Sequence, residues 1–259
     1  MRSALPPLDL HAHVDPTTPK DDLRSLGAVI FVATRSLAEA GKALRREDAL
    51  IVWGVGAHPG VAAAQRNFDP DRFRTLIEQT AFASELGLDG GAKVPLDLQL
   101  QTLRGALDVL ADTPRITSLH SYRATDLLID TLSAQPIPGV VLHWWLGSVA
   151  ATKRAVELGC YFSVNAAMFR PPSVFRYIPL DRLLTETDHP YGDRSGPGPR
   201  QPGNVLPVEF AIAKLHGLNP EEVRRRIWRN LNMLVREADC SRLLSRQIRS
   251  YLIVGSQIS

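Results

Sequence analysis

The sequence reads as an α/β protein folded as a (β/α)8 barrel, and three observations carry that reading. Eight short apolar, β-branched runs recur along the chain. A longer amphipathic stretch follows most of them, the pattern of parallel βαβ units. The chain has 259 residues, a length that suits one such barrel or two ordinary domains. No domain boundary shows in the composition, so residues 1–259 are expected to form one domain.

The runs fall at 8–13, 28–34, 51–57, 81–86, 117–121, 140–144, 161–165 and 183–187. Helical patterning fills the intervals at 23–27, 37–46, 71–79, 98–111, 124–134, 149–158 and 171–177. Two further helices, 207–216 and 220–237, close the barrel. The second has a plausible start, because Asn219 can cap and Pro220 suits a first helical turn ahead of Glu221 and Glu222. The Gly/Pro/Arg-rich stretch 192–203 reads as a surface loop after the last strand, and the tail beyond Cys240 as a loosely packed extra helix.

Hydrophobic residues make up 44% of the chain, enough for a sizeable core. No apolar run reaches the length of a membrane span. Residues 1–7 lack an apolar signal core, so a cytoplasmic protein with no membrane partner is expected. Cys160 and Cys240 have no metal-ligand spacing and are expected to stay reduced. A net charge of +3 permits a polyanionic substrate without requiring one. The densest basic run, Arg224, Arg225 and Arg226 with Arg229, reads as a solvated helix face.

Chemistry collects where the predicted strands end. In the stretch Asp9-Leu10-His11-Ala12-His13-Val14-Asp15, the period-two geometry of a strand points His11 and His13 the same way. Two imidazoles on one strand face can share a metal ion. Later strand ends supply Glu85, His120, His143 and Asp188, and His58 follows the third strand. In a barrel these ends share one face, where barrel active sites lie. A lone buried histidine is usually a core residue, but six strand ends are unlikely to supply metal-capable groups by chance. Imidazoles with carboxylates suit Zn, Mn, Fe or Mg. One carboxylate bridging two ions makes a two-metal site with a spacing of about 3.5–4 Å, and Glu85 is the natural bridge.

These motifs resemble the TatD family of metal-dependent deoxyribonucleases, in the amidohydrolase superfamily. The matching segments are Asp9 to Asp15, Gly54-Val55-Gly56-Ala57-His58-Pro59, Glu85-Leu86-Gly87-Leu88-Asp89, Leu119-His120-Ser121, Leu142-His143-Trp144 and Glu186-Thr187-Asp188-His189-Pro190-Tyr191. The resemblance implies two divalent ions (Mg, Mn or Zn). His11, His13, Glu85 and Asp188 would hold one; Glu85, His120 and His143 would hold the other. It implies that His58 meets the substrate phosphate, and that the activity is 3'-5' exonuclease action on single-stranded DNA ends. A shortened TatD-like subgroup occurs in bacterial anti-phage cassettes, which would add protein partners from such a cassette.

The departures from the family pattern ring the mouth. His189 stands where Ser or Ala is usual, Gly192-Asp193-Arg194 follows Tyr191, Trp144-Trp145 replaces Cys-Phe, and the stretch 90–117 looks trimmed. The expected chemistry is phosphodiester hydrolysis, with Asp188 taking the proton of the attacking water. Glu85 and His58 complete the catalytic set. Arg123, Arg170, Arg194 and Arg200 fall in loops where they could hold phosphates. Trp144, Trp145 and Tyr191 could stack on bases. Two other readings fit the same residues: a metal-dependent amide or lactone hydrolase, and a non-catalytic barrel subunit of a larger complex.

Overall fold

In the computed structural model, which describes residues 5–169, 174–195 and 198–256, eight parallel strands alternate with helices. The order is β1 (Leu8–Ala12), α1 (Lys20–Ser25), β2 (Val29–Val32), α2 (Leu37–Ala43), β3 (Ile51–Trp53), α3 (Ala62–Arg66), α4 (Pro70–Ile77), β4 (Phe82–Gly87), α5 (Leu96–Asp112) and β5 (Ile116–His120). Then come α6 (Thr125–Ala134), β6 (Val140–His143), α7 (Val149–Glu157), β7 (Tyr161–Val164), β8 (Leu183–Thr185), α8 (Leu206–His216), α9 (Pro220–Glu237) and α10 (Arg246–Ser256). The chain is the (β/α)8 barrel that its alternating pattern predicts.

Regular pairing runs in two arcs, β1-β2-β3 and β4-β5-β6-β7-β8. Two seams close them. At the first, Val55 N–H donates to Phe82 O at 3.0 Å and Ser84 N–H donates to Val55 O at 2.9 Å. Gly56 permits this approach, because a Cβ there would lie 1.5 Å from Ser84 O. At the second, Asp188 N–H donates to His11 O at 2.8 Å, and His13 N–H donates to His189 O at 2.9 Å. The Thr185 hydroxyl adds a bond to Leu8 O at 2.5 Å.

Strand alternation sorts the apolar side chains. Val29 and Phe31 of β2 join the main core, where the Phe31 ring meets Phe82 edge-on at 5.3 Å. Ile30 and Val32 face the other way, into a smaller cluster with Leu23, Ala43, Ile51 and Trp53 beneath α1 and α2. Asn219 caps α9 as the sequence suggests: its side chain accepts from Glu222 N–H while the Glu222 carboxylate accepts from Asn219 N–H.

Four expectations need correction or limitation. The short helix α3 escaped the periodicity reading, because five residues give no measurable amphipathic repeat. The helix expected at 171–177 is, where described, one 3-10 turn at Phe175–Tyr177; Arg170 lies outside the described residues. The tail is not loose. Ile248 and Leu252 of α10 are buried, and Gly255 packs so closely on Trp228 that a Cβ would lie 3.0 Å from the Trp228 Cβ. The basic run is not uniformly solvated either. Arg224 turns inward and grips the buried Glu209 with two bonds, of 2.8 and 2.5 Å.

Cys160 and Cys240 are free and buried. Burial pushes their thiols up to about 12 and about 11, which leaves them unreactive.

The Arg224–Glu209 pair generates a stability prediction. Arg224→Ala strands a carboxylate that is 1% exposed, and such losses cost about 3–5 kcal/mol. Urea unfolding should show a loss of that order, whereas Arg226→Ala on the exposed side should change stability by less than about 0.5 kcal/mol.

Candidate metal centre

The closing seams determine where the chemistry sits. His11 lies next to last in β1 and His13 one residue beyond its end; His120 and His143 are the final residues of β5 and β6. Asp188 follows β8. Glu85 lies within β4 rather than at its end. There the β4–β5 register shifts between Ala83 and Leu86, and Glu85 takes a left-handed φ of +45°. Asp188 is also left-handed, at φ +42°. For non-glycine residues such conformations cost about 1–3 kcal/mol each and cluster at working sites.

The six side chains converge. Glu85 Oε2 lies 3.2 Å from His13 Nε2 and 3.9 Å from His11 Nε2. Asp188 Oδ1 lies 3.5 and 3.9 Å from the same two nitrogens. His120 Nδ1 is 3.1 Å from His143 Nε2, and the His11 and His143 rings stack at 4.0 Å. His58 comes from the loop after β3, its Nε2 3.2 Å from Glu85 Oε1. Gln65 of α3 steadies that loop, donating to Ala57 O at 2.8 Å and to His58 O at 3.1 Å.

This donor set fits a cation better than it fits itself. Among the described residues, eight buried side-chain polar atoms lack a hydrogen-bond partner. Five of them are His11 Nε2, Glu85 Oε2, His120 Nε2, His143 Nδ1 and Asp188 Oδ1. Unpaired buried polar atoms are expensive and rarely cluster. Three overlapping groups have ligand atoms within 4.8 Å of one another: His11, His13 and Glu85; His11, His143 and Asp188; and Glu85, His120 and His143.

Protonation prepares the imidazoles. The His13 Nδ1–H donates to Ala33 O at 3.0 Å, so a neutral ring turns its Nε2 lone pair into the mouth. His11 Nδ1 is held by Ser118 Oγ at 2.7 Å. Burial lowers His120 to about 3 and puts His11 well below its ordinary value, keeping both neutral. Burial raises Asp188 to about 6, against the pull of His13 and His143. For Glu85 burial acts upward, but His13 and His58 outweigh it and hold the carboxyl well below the usual range.

Around this centre lies a supporting set that the sequence reading did not assign. Asp9, fully buried, accepts from Thr187 N–H at 2.8 Å, the Thr187 hydroxyl at 2.6 Å and Gly203 N–H at 2.7 Å. It thereby ties β1 to the segment bearing Asp188 and to the loop beyond. Glu186 is also fully buried. It accepts from Ser163 Oγ, Asn165 Nδ2 and Trp144 N–H, and its Oε1 lies 3.8 Å from His143 Nδ1. Both stood beside recognised motif residues; the available signal was a carboxylate inside an apolar strand, where only a buried network can satisfy it.

The expected substrate contacts divide. Tyr191 is exposed at the mouth, edge-on to His13 at 5.7 Å. Arg194 stacks over Tyr191 at 5.5 Å, and Arg123 stacks over Tyr122 at 5.3 Å. Arg200 is turned to its own loop, 3.5 Å from Asp193 and bonded to Pro190 O at 2.9 Å. Trp145 is no stacking platform. It is fully buried, donates to Thr152 Oγ1 at 2.8 Å and packs on Phe162.

A parallel barrel whose strand ends gather imidazoles and carboxylates around one mouth defines a metal-dependent hydrolase. A family model described as TatD related DNase matches residues 8–236, and the chain belongs to that family. An uncharacterized metal-dependent hydrolase, YabD, of Bacillus subtilis is 24% identical over 254 residues, covering 88% of this chain and 98% of YabD. The 3'-5' ssDNA/RNA exonuclease TatD of Erwinia billingiae is 25% identical over 198 residues, covering 70% of this chain and 76% of that protein. The crystal structure of YJJV, a TatD homolog from Escherichia coli, superposes with a TM-score of 0.77 at 23% identity, covering 90% of this chain and 98% of YJJV.

Glu186 offers a test of the support. Removing a carboxylate behind a metal-ligating histidine typically costs 10–100-fold in metal affinity. Glu186→Ala should weaken divalent-ion binding by about that factor in a chelator competition while the circular dichroism spectrum stays unchanged.

Proposed function

We propose that the centre binds two divalent ions, Mg or Mn in the working enzyme, and hydrolyses phosphodiesters at single-stranded DNA ends. His11, His13, Glu85 and Asp188 would hold one ion, and Glu85, His120 and His143 would hold the other. The observation that carries this reading is the convergence of three buried, unpaired ligand atoms, His11 Nε2, Glu85 Oε2 and Asp188 Oδ1, on one barrel mouth.

Bound there, the ions supply a water of lowered pKa and stabilise charge developing on the phosphoryl oxygens. Asp188, beside His11 and His13, would accept the proton of the attacking water. His58 Nδ1 accepts the Gly60 N–H at 2.8 Å, so the neutral ring carries its proton on Nε2. That N–H faces the mouth and can donate to a non-bridging phosphate oxygen or to the leaving group. Tyr191, Arg123 and Arg194 stand on loops where they can meet the strand leading to the scissile bond. DNA as substrate is supported by the family and by the named activity of the Erwinia relative. Among the described residues no helix is long and apolar enough to cross a membrane, and we place the protein in the cytoplasm as one functional unit over residues 1–259.

A labelled linear oligonucleotide beside a circular single strand of the same sequence tests the reading. With Mg or Mn the linear strand should shorten from an end while the circle survives. Chelator should stop the reaction, and added salt should slow it through counterion release. Equal cutting of both would remove the end requirement. Turnover of amides or lactones with neither DNA cut would overturn the nuclease reading. Glu85→Ala should lose at least one equivalent of metal by elemental analysis and nearly all activity. Asp188→Asn should keep most of the metal yet lose at least about 100-fold in kcat, the lower range for general-base catalysis.

A further inference from the structure

A cleft of about 250 Å³ opens directly beside the metal centre. His13 belongs both to the cleft wall and to the ligand cluster, so the two spaces adjoin across its ring. Its other walls include Val14 and Leu26, from the segments after β1 and α1, and His189 and Pro202, from the segments after β8. The rims are acidic: Asp15 and Asp22 line it, and no Lys or Arg occurs among its described lining residues.

That chemistry excludes a phosphate and selects a neighbour of one. An anion between Asp15 and Asp22 would meet like charge. A flat, uncharged group meets imidazole, proline and aliphatic walls that suit stacking and apolar contact. The size matches, since sites for drug-sized ligands begin at about 300 Å³ and this one is smaller. The His189 wall is fixed in place: its Nδ1 pairs with Asp193 Oδ2 at 2.6 Å, and Asp193 in turn lies 3.5 Å from Arg200. One carboxylate is already partly engaged, because Asp15 Oδ1 accepts from the Thr17 amide and hydroxyl at 2.7 Å each. Asp22 is exposed in the first turn of α1.

We propose that this cleft is a nucleobase pocket for the nucleotide whose phosphate lies at the metals, with Asp22 accepting from an exocyclic amino group. The proposal rests on the phosphodiesterase reading above and adds a specificity to it. Carboxylates accept from the amino group of cytosine, whereas thymine has no exocyclic amino group. The bases that carry one, cytosine, adenine and guanine, should therefore be held more tightly than thymine.

Calorimetry on the metal-loaded protein tests this without relying on turnover. The ligands are deoxycytidine, deoxyadenosine, deoxyguanosine and thymidine 5'-monophosphates, with deoxyribose 5-phosphate as the base-free reference. The cytidine nucleotide should bind about tenfold or more tighter than the reference, as expected for one stacked base, and tighter than the thymidine nucleotide. Leu26→Trp, which fills the cleft, should bring all nucleotides down to the reference affinity. Asp22→Ala should erase only the preference over thymidine. The circular dichroism spectrum and the divalent-metal content should be unchanged in both variants, which shows that they are folded and loaded. Equal affinity for nucleotides and deoxyribose 5-phosphate, or a Leu26→Trp variant that binds nucleotides as the wild type does, would overturn the pocket. Loss of DNA cleavage as an activity appears instead in the oligonucleotide assay and leaves this binding comparison intact.

Discussion

The removal of water from six ionisable side chains at one end of the barrel is the constraint on which the rest of this structure depends. A buried carboxylate or imidazole without a partner destabilises a fold. Here the opposing terms are built in locally: His13 with Glu85 and Asp188, His58 with Glu85, and His143 above Glu186. Burial keeps His11 and His120 neutral, so their lone pairs are available to a cation, whereas neighbouring carboxylates raise His13 and His143 despite burial. The strained backbone at Glu85 and Asp188 belongs to the same account, because two left-handed carboxylates persist only where their surroundings over-determine them.

Asp9 shows how the frame serves the site. Its carboxylate takes three good hydrogen bonds from Thr187 and Gly203, and through them the first strand, the last strand and the loop beyond share one anchor. Burial pushes Asp9 up to about 7 despite those donors. The loop it holds carries Pro202, and the neighbouring turn carries His189. The segments bearing His189 and Pro202, which depart from the family pattern, are therefore tied to the first strand through Asp9.

The barrel was legible in the sequence because parallel strands buried on both faces leave continuous apolar runs, and each ended within a few residues of its observed strand. The six converging side chains were legible because a barrel brings strand ends together whatever the loops do. Glu85 was placed at a strand end when it lies inside β4, since a register shift and a left-handed φ leave no mark on hydrophobic periodicity. Glu186 and Asp9 went unassigned because their partners, Ser163, Asn165 and Gly203, are remote in sequence. Trp145 was offered as a base platform because it follows the sixth strand end near the mouth, and only packing could show that its indole closes on Thr152 and Phe162. Arg224 looked like one more surface charge until α8 supplied Glu209.

The second seam also bears on how the protein is made. Asp9 and Thr187 are 178 residues apart in the chain yet share two hydrogen bonds, and His11 lies beside Asp188. A chain emerging from the ribosome presents His11 and His13 early and Glu85 next, but Asp188 arrives only when β8 has been synthesised and the barrel closes. Closure of so long a loop is an entropically costly, late event in folding. The hydrolytic centre is thus assembled by the same step that completes the fold, and a truncated or still-growing chain carries the histidines without the means to use them.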